Sequence, residues 1–140
     1  MTAPASPICE ISFRVRYVEC DPMGYLHHSC YLVYMEMGRV ELLRQSGHTY
    51  RQLEADGALF VVTKAEINYR RPAHYDDQLR LRLWLTRTTA VRFEHAYELY
   101  HADTNLLLAT AATTIACVDR TGTVQPIPAH ILAPAAPTQK

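Results

Sequence analysis

This sequence lacks the features that mark proteins acting in a membrane or on nucleic acid. No apolar run approaches the roughly 20 residues of a membrane-spanning helix, so we expect no membrane span. The 14 basic and 14 acidic side chains leave a formal net charge of zero, which argues against a nucleic-acid partner held by bulk charge. The first ten residues also lack the basic and apolar regions of an export signal, so we expect a cytoplasmic protein.

The spacing of the cysteines predicts neither a metal site nor a disulfide framework. The chain has four cysteines and no CxxC pair, so we expect free thiols. One group lies close together in the sequence but fits no common zinc spacing: Cys20, His27, His28 and Cys30. Cys20 is also a poor candidate nucleophile, because on a strand it would face away from its neighbour Asp21. We therefore expect no metal and no cofactor.

The pattern of apolar residues predicts one α+β domain over residues 1–140, with a core at about 8–125 and loose ends. Alternation of apolar and polar residues predicts a half-buried strand at 8–17. Further elements are expected as follows: a helix at 29–46, a helical turn at Tyr50–Ala55, strands at 59–71, 78–87, 90–101 and 105–119, and a short edge strand at Val124–Pro126. An antiparallel sheet of about five strands wrapped around the long helix would cover every apolar face.

The long helix at 29–46 combines good helix formers with a broad apolar surface, and such a helix is usually buried. We expect Ser29 as its N-cap and Gly47 just beyond its C-cap. Gly38 costs roughly 1 kcal/mol inside a helix, which we explain by the close approach of another backbone. The start of the helix would present free backbone N–H groups, and these favour negative charge.

The residues before the helix, Asp21-Pro22-Met23-Gly24, form a turn sequence in which Pro presets one φ and Gly accepts a positive φ. An acid held near helix N-terminal amides suits acyl transfer. The carboxylate acts as nucleophile or general base, and the amides stabilise the oxyanion. Spacing alone leaves open whether Asp21 is catalytic or only caps the turn.

This stretch resembles the 4-hydroxybenzoyl-CoA thioesterase family of hotdog-fold proteins, most of all its branch of Tol–Pal-associated acyl-CoA thioesterases. The family pattern is roughly Y-x-D/E-T/C-D-x-x-G-x-V-x-H/Y-x-x-Y-x-x-x-x-E-x-x-R. Matching positions in this chain are Tyr17, Glu19, Cys20, Asp21, Gly24, His28, Tyr31, Glu36 and Arg39. Leu26 replaces the usual small apolar residue, and Asn68–Leu79 resembles the second family signature. The resemblance covers about residues 8–119.

The resemblance implies a hotdog-fold acyl-CoA thioesterase with Asp21 as the catalytic carboxylate. The backbone N–H groups at His28 and Ser29 would be the oxyanion donors, and the His28 side chain would line the site. Candidate substrate-binding residues are Gly24, His27 and Tyr31. Glu36 and Arg39, three residues apart on the helix, are expected to form an ion pair, which either is structural or orients Asp21.

The expected substrate is an acyl-CoA or an acyl-carrier protein, and the expected assembly is a homodimer or a dimer of dimers. One sheet leaves the ends of the helix uncovered, and the resemblance implies an active site at the dimer interface. Two alternatives remain open. A hotdog (de)hydratase usually carries a D-x-N-x-x-H-type pair, whereas Met23 stands at the Asn position here. A non-catalytic acyl-CoA-binding module would use Asp21 only structurally.

Overall fold

The computed structural model describes residues 7–132, which form an antiparallel sheet packed against one long helix. The strands are β1 Cys9–Arg14, β2 Leu59–Tyr69, β3 Gln78–Thr88, β4 Arg92–His101 and β5 Leu107–Val118. The helices are α1 Cys30–Gln45, α2 Tyr50–Ala55 and α3 Ala129–Leu132. The sheet has five strands in the order β1-β3-β4-β5-β2, and all neighbouring strands are antiparallel. The predicted α+β fold is confirmed.

The first strand is shorter than predicted and ends at Arg14, after which the pairing with the β3 side becomes irregular. The N–H of Val15 donates to the carbonyl of Asp77, and the N–H of Asp76 donates to the carbonyl of Val15, both at 3.0 Å. Residues Tyr17–Glu19 then form a single 3₁₀ turn instead of continuing the strand. This turn, and not a strand end, leads the chain into the segment that carries Asp21.

Helix α1 packs its buried face on strands β1 and β3, and Gly38 lies where the packing is tightest. A Cβ atom at this position would lie 2.9 Å from Leu83 Cδ2 and 3.0 Å from Leu81 Cδ2. The expectation of a close backbone is therefore wrong: the space is taken by leucine side chains of β3. Glycine is needed because those side chains are themselves buried in the core.

Both ends of α1 lie within one residue of the prediction, but only the C-terminal end is capped as expected. The N–H of Gly47 donates to the carbonyl of Arg44, and the N–H of His48 donates to that of Leu43, which is a Schellman motif. At the other end Ser29 occupies the N-cap position but makes no side-chain capping bond. Its hydroxyl instead lies 2.7 Å from Nδ1 of His27.

The segment after β5 is more ordered than predicted as far as the structure describes it. Ile127, expected in a mobile tail, is buried in a second apolar cluster with Leu53, Ala58 and Cys117. The expected edge strand at Val124–Pro126 is reduced to a single bridge between Val118 and Val124. The rest of the predicted loose ends, residues 1–6 and 133–140, lies outside the described residues. Within 7–132, no helix is long and apolar enough to cross a membrane.

Candidate active site

Asp21 sits in a tight turn that holds one of its carboxylate oxygens and leaves the other available. Oδ1 accepts the backbone N–H groups of Met23 at 2.9 Å and Tyr25 at 3.1 Å. The main chain closes the same turn, since the N–H of Asp21 donates to the carbonyl of Tyr25 at 2.8 Å. Oδ2 has no hydrogen-bond partner within residues 7–132. The carboxylate therefore caps a turn and still carries a free oxygen, so the two interpretations of Asp21 are compatible.

Gly24 is part of this turn, with a φ of +81° that other residues rarely adopt. Its N–H donates to the carbonyl of Asp21 at 2.9 Å. This explains the glycine by the conformation of the turn. Its predicted contact with substrate stays a prediction.

Asp119 lies in a second turn with the same hydrogen bonds. Its Oδ1 accepts the backbone N–H groups of Thr121 at 2.8 Å and Thr123 at 3.0 Å. The N–H of Gly122 donates to the carbonyl of Asp119, as Gly24 does to Asp21. This turn follows β5 and is not attached to the start of a long helix. It provides a natural comparison for separating the turn-forming role of an aspartate from a chemical role.

The return arm of the Asp21 turn is fixed to the rest of the protein by backbone hydrogen bonds. The N–H of Leu26 donates to the carbonyl of Ala73, and the N–H of His27 donates to that of Glu19, both at 2.8 Å. Tyr25, whose carbonyl accepts the N–H of Asp21, lies three positions before His28 in the sequence. Three residues span at most about 10 Å. The turn thereby holds the carboxylate and the start of α1 in a fixed relation.

The backbone amides at the start of α1 are not equivalent. The N–H of Ser29 points at Nδ1 of His27, 3.2 Å away, and the N–H of Cys30 donates to the carbonyl of His27. The N–H of His28 has no partner among the described residues, and His28 is exposed. Of the two predicted oxyanion donors, only His28 is therefore free in this arrangement.

The two histidines stack, with ring centroids 4.1 Å apart. Because Nδ1 of His27 accepts the N–H of Ser29, the neutral His27 ring carries its proton on Nε2. The carbonyl of His28 accepts a hydrogen bond of 3.0 Å from the Tyr69 hydroxyl at the end of β2. These contacts fix the His28–Ser29 peptide. The preceding peptide, which carries the free N–H of His28, is held by its own carbonyl, that of His27, which accepts the N–H of Cys30.

Glu19 lies two residues before Asp21 in the sequence, and its carboxylate is buried, with only 7% of the residue exposed. It accepts the N–H of Arg16 and the hydroxyl of Tyr34, each at 2.8 Å. Burial alone would raise the pKa of Glu19, but these hydrogen bonds and the Arg16 side chain outweigh it and hold the pKa below its usual value. The 3₁₀ turn is thus anchored to α1 by an ionised acid.

Three further candidate residues lie on α1. Tyr31 is buried in the core, 4% exposed, with its ring 4.9 Å from that of Tyr69. Its predicted contact with substrate stays a prediction. The expected ion pair between Glu36 and Arg39 is wrong: Glu36 is exposed, whereas Arg39 turns into the protein and donates to the Tyr97 hydroxyl at 3.0 Å. Neither side chain forms a bond to Asp21.

The cysteines of this region, Cys20 and Cys30, are free thiols. Burial, followed by the nearby Asp21 and Glu19 carboxylates, raises the pKa of Cys20. Burial also raises the pKa of Cys30, with Glu19 adding to the effect. Both thiols are therefore protonated at neutral pH, and a thiolate mechanism is disfavoured. Among the described residues, no group of three His, Cys, Asp or Glu side chains is arranged to hold a metal ion.

Comparison with known proteins identifies the family to which this turn and helix belong. The sequence pattern of the thioesterase-like superfamily matches residues 15–134. The chain belongs to the thioesterase-like superfamily. The match includes the Asp21 turn, α1 and all strands after β1, so the resemblance stated from the sequence is confirmed.

Relatives of this superfamily member agree with the assignment. YneP of Bacillus subtilis is 33% identical over 107 residues, covering 76% of this chain and 77% of that protein. The Escherichia coli acyl-CoA thioester hydrolase YbgC is 31% identical over 106 residues, covering 76% and 78%. The DHNA-CoA thioesterase of Staphylococcus aureus has the same fold, with a TM-score of 0.82 at 23% identity over 85% of this chain and 80% of that one. The predicted hotdog fold is confirmed.

The sequence interpretation of this thioesterase-like protein missed Glu19 and Tyr34 as structural partners. A usable signal existed, because Glu19 matches an acid in the family pattern two residues before Asp21. Tyr34 lies one turn beyond Cys30 on the buried side of α1. What the sequence could not supply was the 3₁₀ turn that points the Glu19 side chain at the helix.

Proposed function

We propose that this protein hydrolyses acyl-CoA thioesters to a free acid and CoA, with Asp21 as the reacting carboxylate. The observation that carries the proposal is the unpaired Oδ2 of Asp21, held by its turn beside the start of α1. The acyl-CoA thioester hydrolase activity in the name of YbgC supports the same reaction.

The proposed chemistry needs a base or nucleophile on one side of the thioester carbon and a hydrogen-bond donor on the other. Oδ2 of Asp21 either removes a proton from the attacking water or attacks the carbon itself. The free N–H of His28 donates to the carbonyl oxygen as it becomes an oxyanion, and the positive end of α1 adds to the effect. If Asp21 activates water, the proton that it takes up passes to the sulfur of CoA as the C–S bond breaks, and the acid and the thiol leave. If Asp21 attacks the carbon, CoA leaves as the thiolate from an acyl anhydride on Asp21. Water then hydrolyses this anhydride to the acid and restores the carboxylate, and the released proton goes to the CoA sulfur.

The His27–Ser29 pair has a positioning role in this scheme. Its hydrogen bonds hold the peptide before α1 in one conformation, so the His28 N–H needs no rearrangement when the oxyanion forms. Tyr69 supports the adjacent His28–Ser29 peptide by donating to the carbonyl of His28. Preorganised donors of this kind are worth far more than donors that must first reorient.

We also propose that the active unit is a homodimer. Strand β2 is an edge of the sheet, and within residues 7–132 its outer edge pairs with no other strand. It exposes Val61, Val62 and Tyr69, and α1 exposes Leu32 and Val33. An 11-residue edge with apolar side chains is a ready surface for pairing with another chain. Because Tyr69 also contacts His28, pairing at β2 would bring the second copy next to the site.

The experiment that tests the function compares Asp21→Asn with Asp119→Asn. An Asn side chain retains an Oδ1 that accepts the backbone N–H groups, so each variant should keep its turn. Release of free thiol from a panel of acyl-CoA esters should fall by about a hundredfold or more in kcat for Asp21→Asn, on the scale of a removed general base. Asp119→Asn should remain within twofold of the parent. An Asp21→Asn protein with parental activity would refute the assignment of the carboxylate.

A further inference from the structure

A second concave site lies on the far half of α1, away from the Asp21 turn. There α1, α2 and the sheet enclose a cavity of about 290 Å³ that is partly open to solvent. Its walls are largely apolar and include Leu42, Leu43, Leu53, Phe60, Phe93 and Ile131. None of Asp21, His27 or His28 lines it. The cavity is therefore distinct from the proposed active site.

The polar side of this cavity is formed by a buried guanidinium. Arg39 lines the cavity and is 8% exposed. Its Nη1 donates to the Tyr97 hydroxyl, which in turn lies 2.6 Å from Oγ1 of Thr113. Within residues 7–132, no carboxylate oxygen lies at ion-pair distance from Arg39. A buried charge left without an opposite charge carries a penalty of several kcal/mol, so the structure favours an anion at this point.

His95 adds a second incomplete polar group to the same wall. The residue is 6% exposed, and its buried Nδ1 has no hydrogen-bond partner among the described residues. Burial, followed by the charge of Arg39, lowers the pKa of His95 to about 3. The ring is therefore neutral at physiological pH and does not add a second positive charge. Buried polar atoms without partners are rare in native proteins and point to a missing group.

We propose that this cavity binds a monocarboxylic acid with an apolar body, whose carboxylate pairs with the guanidinium of Arg39. The apolar walls would take the hydrocarbon part, and the carboxylate would supply the absent counter-charge. A water molecule, with its single non-hydrogen atom, occupies ~30 Å³ in the liquid. A cavity of about 290 Å³ therefore has room for about ten non-hydrogen atoms. Octanoate, which has ten, is the matching probe.

This site goes beyond the proposed thioester hydrolysis. A thioester has no free carboxylate, so the ligand is not the substrate in its reactive form. The acids released by the proposed reaction belong to the same chemical class, but binding at Arg39 does not depend on that reaction. Binding and hydrolysis can therefore fail independently, and the experiment keeps them separate.

The first test is calorimetric titration of the full chain with octanoate and, as a matched neutral probe, octanol. We expect octanoate to bind at least about tenfold more tightly than octanol, on the scale of one hydrogen bond to a charged group. Arg39→Met should bind octanoate at least about tenfold more weakly than the parent protein does. Arg44→Met, the same change at an exposed position of α1, should leave the affinity unchanged. Equal octanoate affinity in the Arg39→Met and parent proteins would overturn the proposal.

A second test locates the ligand and does not depend on Arg39→Met folding. Leu43→Trp should fill the cavity and abolish octanoate binding, while Asp21→Asn should bind octanoate like the parent even if it is inactive. In aromatic NMR spectra, octanoate should shift the ring signals of Phe60 and Phe93. Shifts confined to Tyr25 would place the ligand at the other site and overturn the proposal. No octanoate binding by the parent, as for a cavity filled only by water, would overturn it as well.

Discussion

The Tyr34 hydroxyl donates a 2.8 Å hydrogen bond to the buried carboxylate of Glu19. The bond joins Tyr34, in the second turn of α1, to the 3₁₀ turn that precedes Asp21. Because the carbonyl of Glu19 also accepts the N–H of His27, one residue holds both arms of the loop that carries the proposed carboxylate. The position of Asp21 thus depends on Glu19, which has no part in the proposed chemistry.

This relationship predicts a pH dependence of stability that Glu19→Gln should remove. The folded-state pKa of Glu19 lies below its unfolded value near 4.5. Its contribution is therefore complete above that unfolded value and is lost as the pH falls through the folded pKa. The free energy of unfolding of the parent should decrease more steeply below about pH 4.5 than that of Glu19→Gln.

Urea unfolding at a series of pH values from 7 to 3 measures this difference. At pH 7 we expect Glu19→Gln to lose about 1.5–3 kcal/mol, the range for hydrogen bonds to a charged group. Glu54→Gln, at an exposed position of α2, is the control and should follow the parent at every pH. Parallel curves for Glu19→Gln and the parent would show that Glu19 is not the group responsible.

The two matching aspartate turns predict that glycine substitutions will separate stability from activity. Gly24 and Gly122 have φ values of +81° and +86°, and neither has an atom within 4 Å of an added Cβ. Alanine should therefore cost each turn about 1 kcal/mol of backbone strain and nothing from steric overlap. Only Gly24→Ala should also displace the carboxylate of Asp21.

Thermal unfolding and a thioesterase assay on both variants test this expectation. The two proteins should lose similar stability, while kcat should fall at least about tenfold in Gly24→Ala and stay near the parent in Gly122→Ala. Equal activities would mean that the conformation of the Asp21 turn does not matter for catalysis.

Packing around Gly38 predicts a coupled pair of core substitutions. An alanine there gains up to about 1 kcal/mol in helix propensity, but its Cβ would overlap Cδ2 of Leu83, which is fully buried. Overpacking of this kind costs about 1–3 kcal/mol. We expect Gly38→Ala to lower the free energy of unfolding in the parent and to raise it in a Leu83→Val background.

A double-mutant cycle by urea unfolding measures the coupling between the two positions. The expected interaction energy is about 1 kcal/mol or more in favour of the double variant. Additive effects would show that Leu83 does not restrict the residue at position 38.

The exposed edge of β2 predicts that Val62→Lys will weaken the proposed homodimer. Val62 is 52% exposed, and a lysine on an edge strand opposes pairing with another chain. Sedimentation should show a shift toward monomer, and activity per protomer should fall with it if the second copy completes the site. Val124→Lys, at a valine that is 54% exposed away from β2, should leave the assembly unchanged. A Val62→Lys protein that remains fully dimeric would place the interface elsewhere.

Local sequence patterns predicted most of the fold because they depend on near neighbours. The alternation in β3, the helix formers of α1 and the glycine that ends it act through contacts a few residues apart. The same holds for the Asp21 turn, whose hydrogen bonds all lie within five residues. The strand predicted at 8–17 is too long because the alternation of apolar and polar residues continues into the 3₁₀ turn at Tyr17–Glu19.

The sequence by itself determined that an acidic turn leads into a long helix, and with it the family and the candidate carboxylate. The expectation that this helix is buried is wrong for the chain alone, since α1 exposes Leu32 and Val33. Only the tertiary structure decided which partners the helix residues meet. Arg39 bonds to Tyr97 instead of Glu36, and Gly38 makes room for Leu83, because β3 and β4 lie against that face of α1. Those contacts join positions more than 40 residues apart, and their geometry arises only when the sheet closes on the helix.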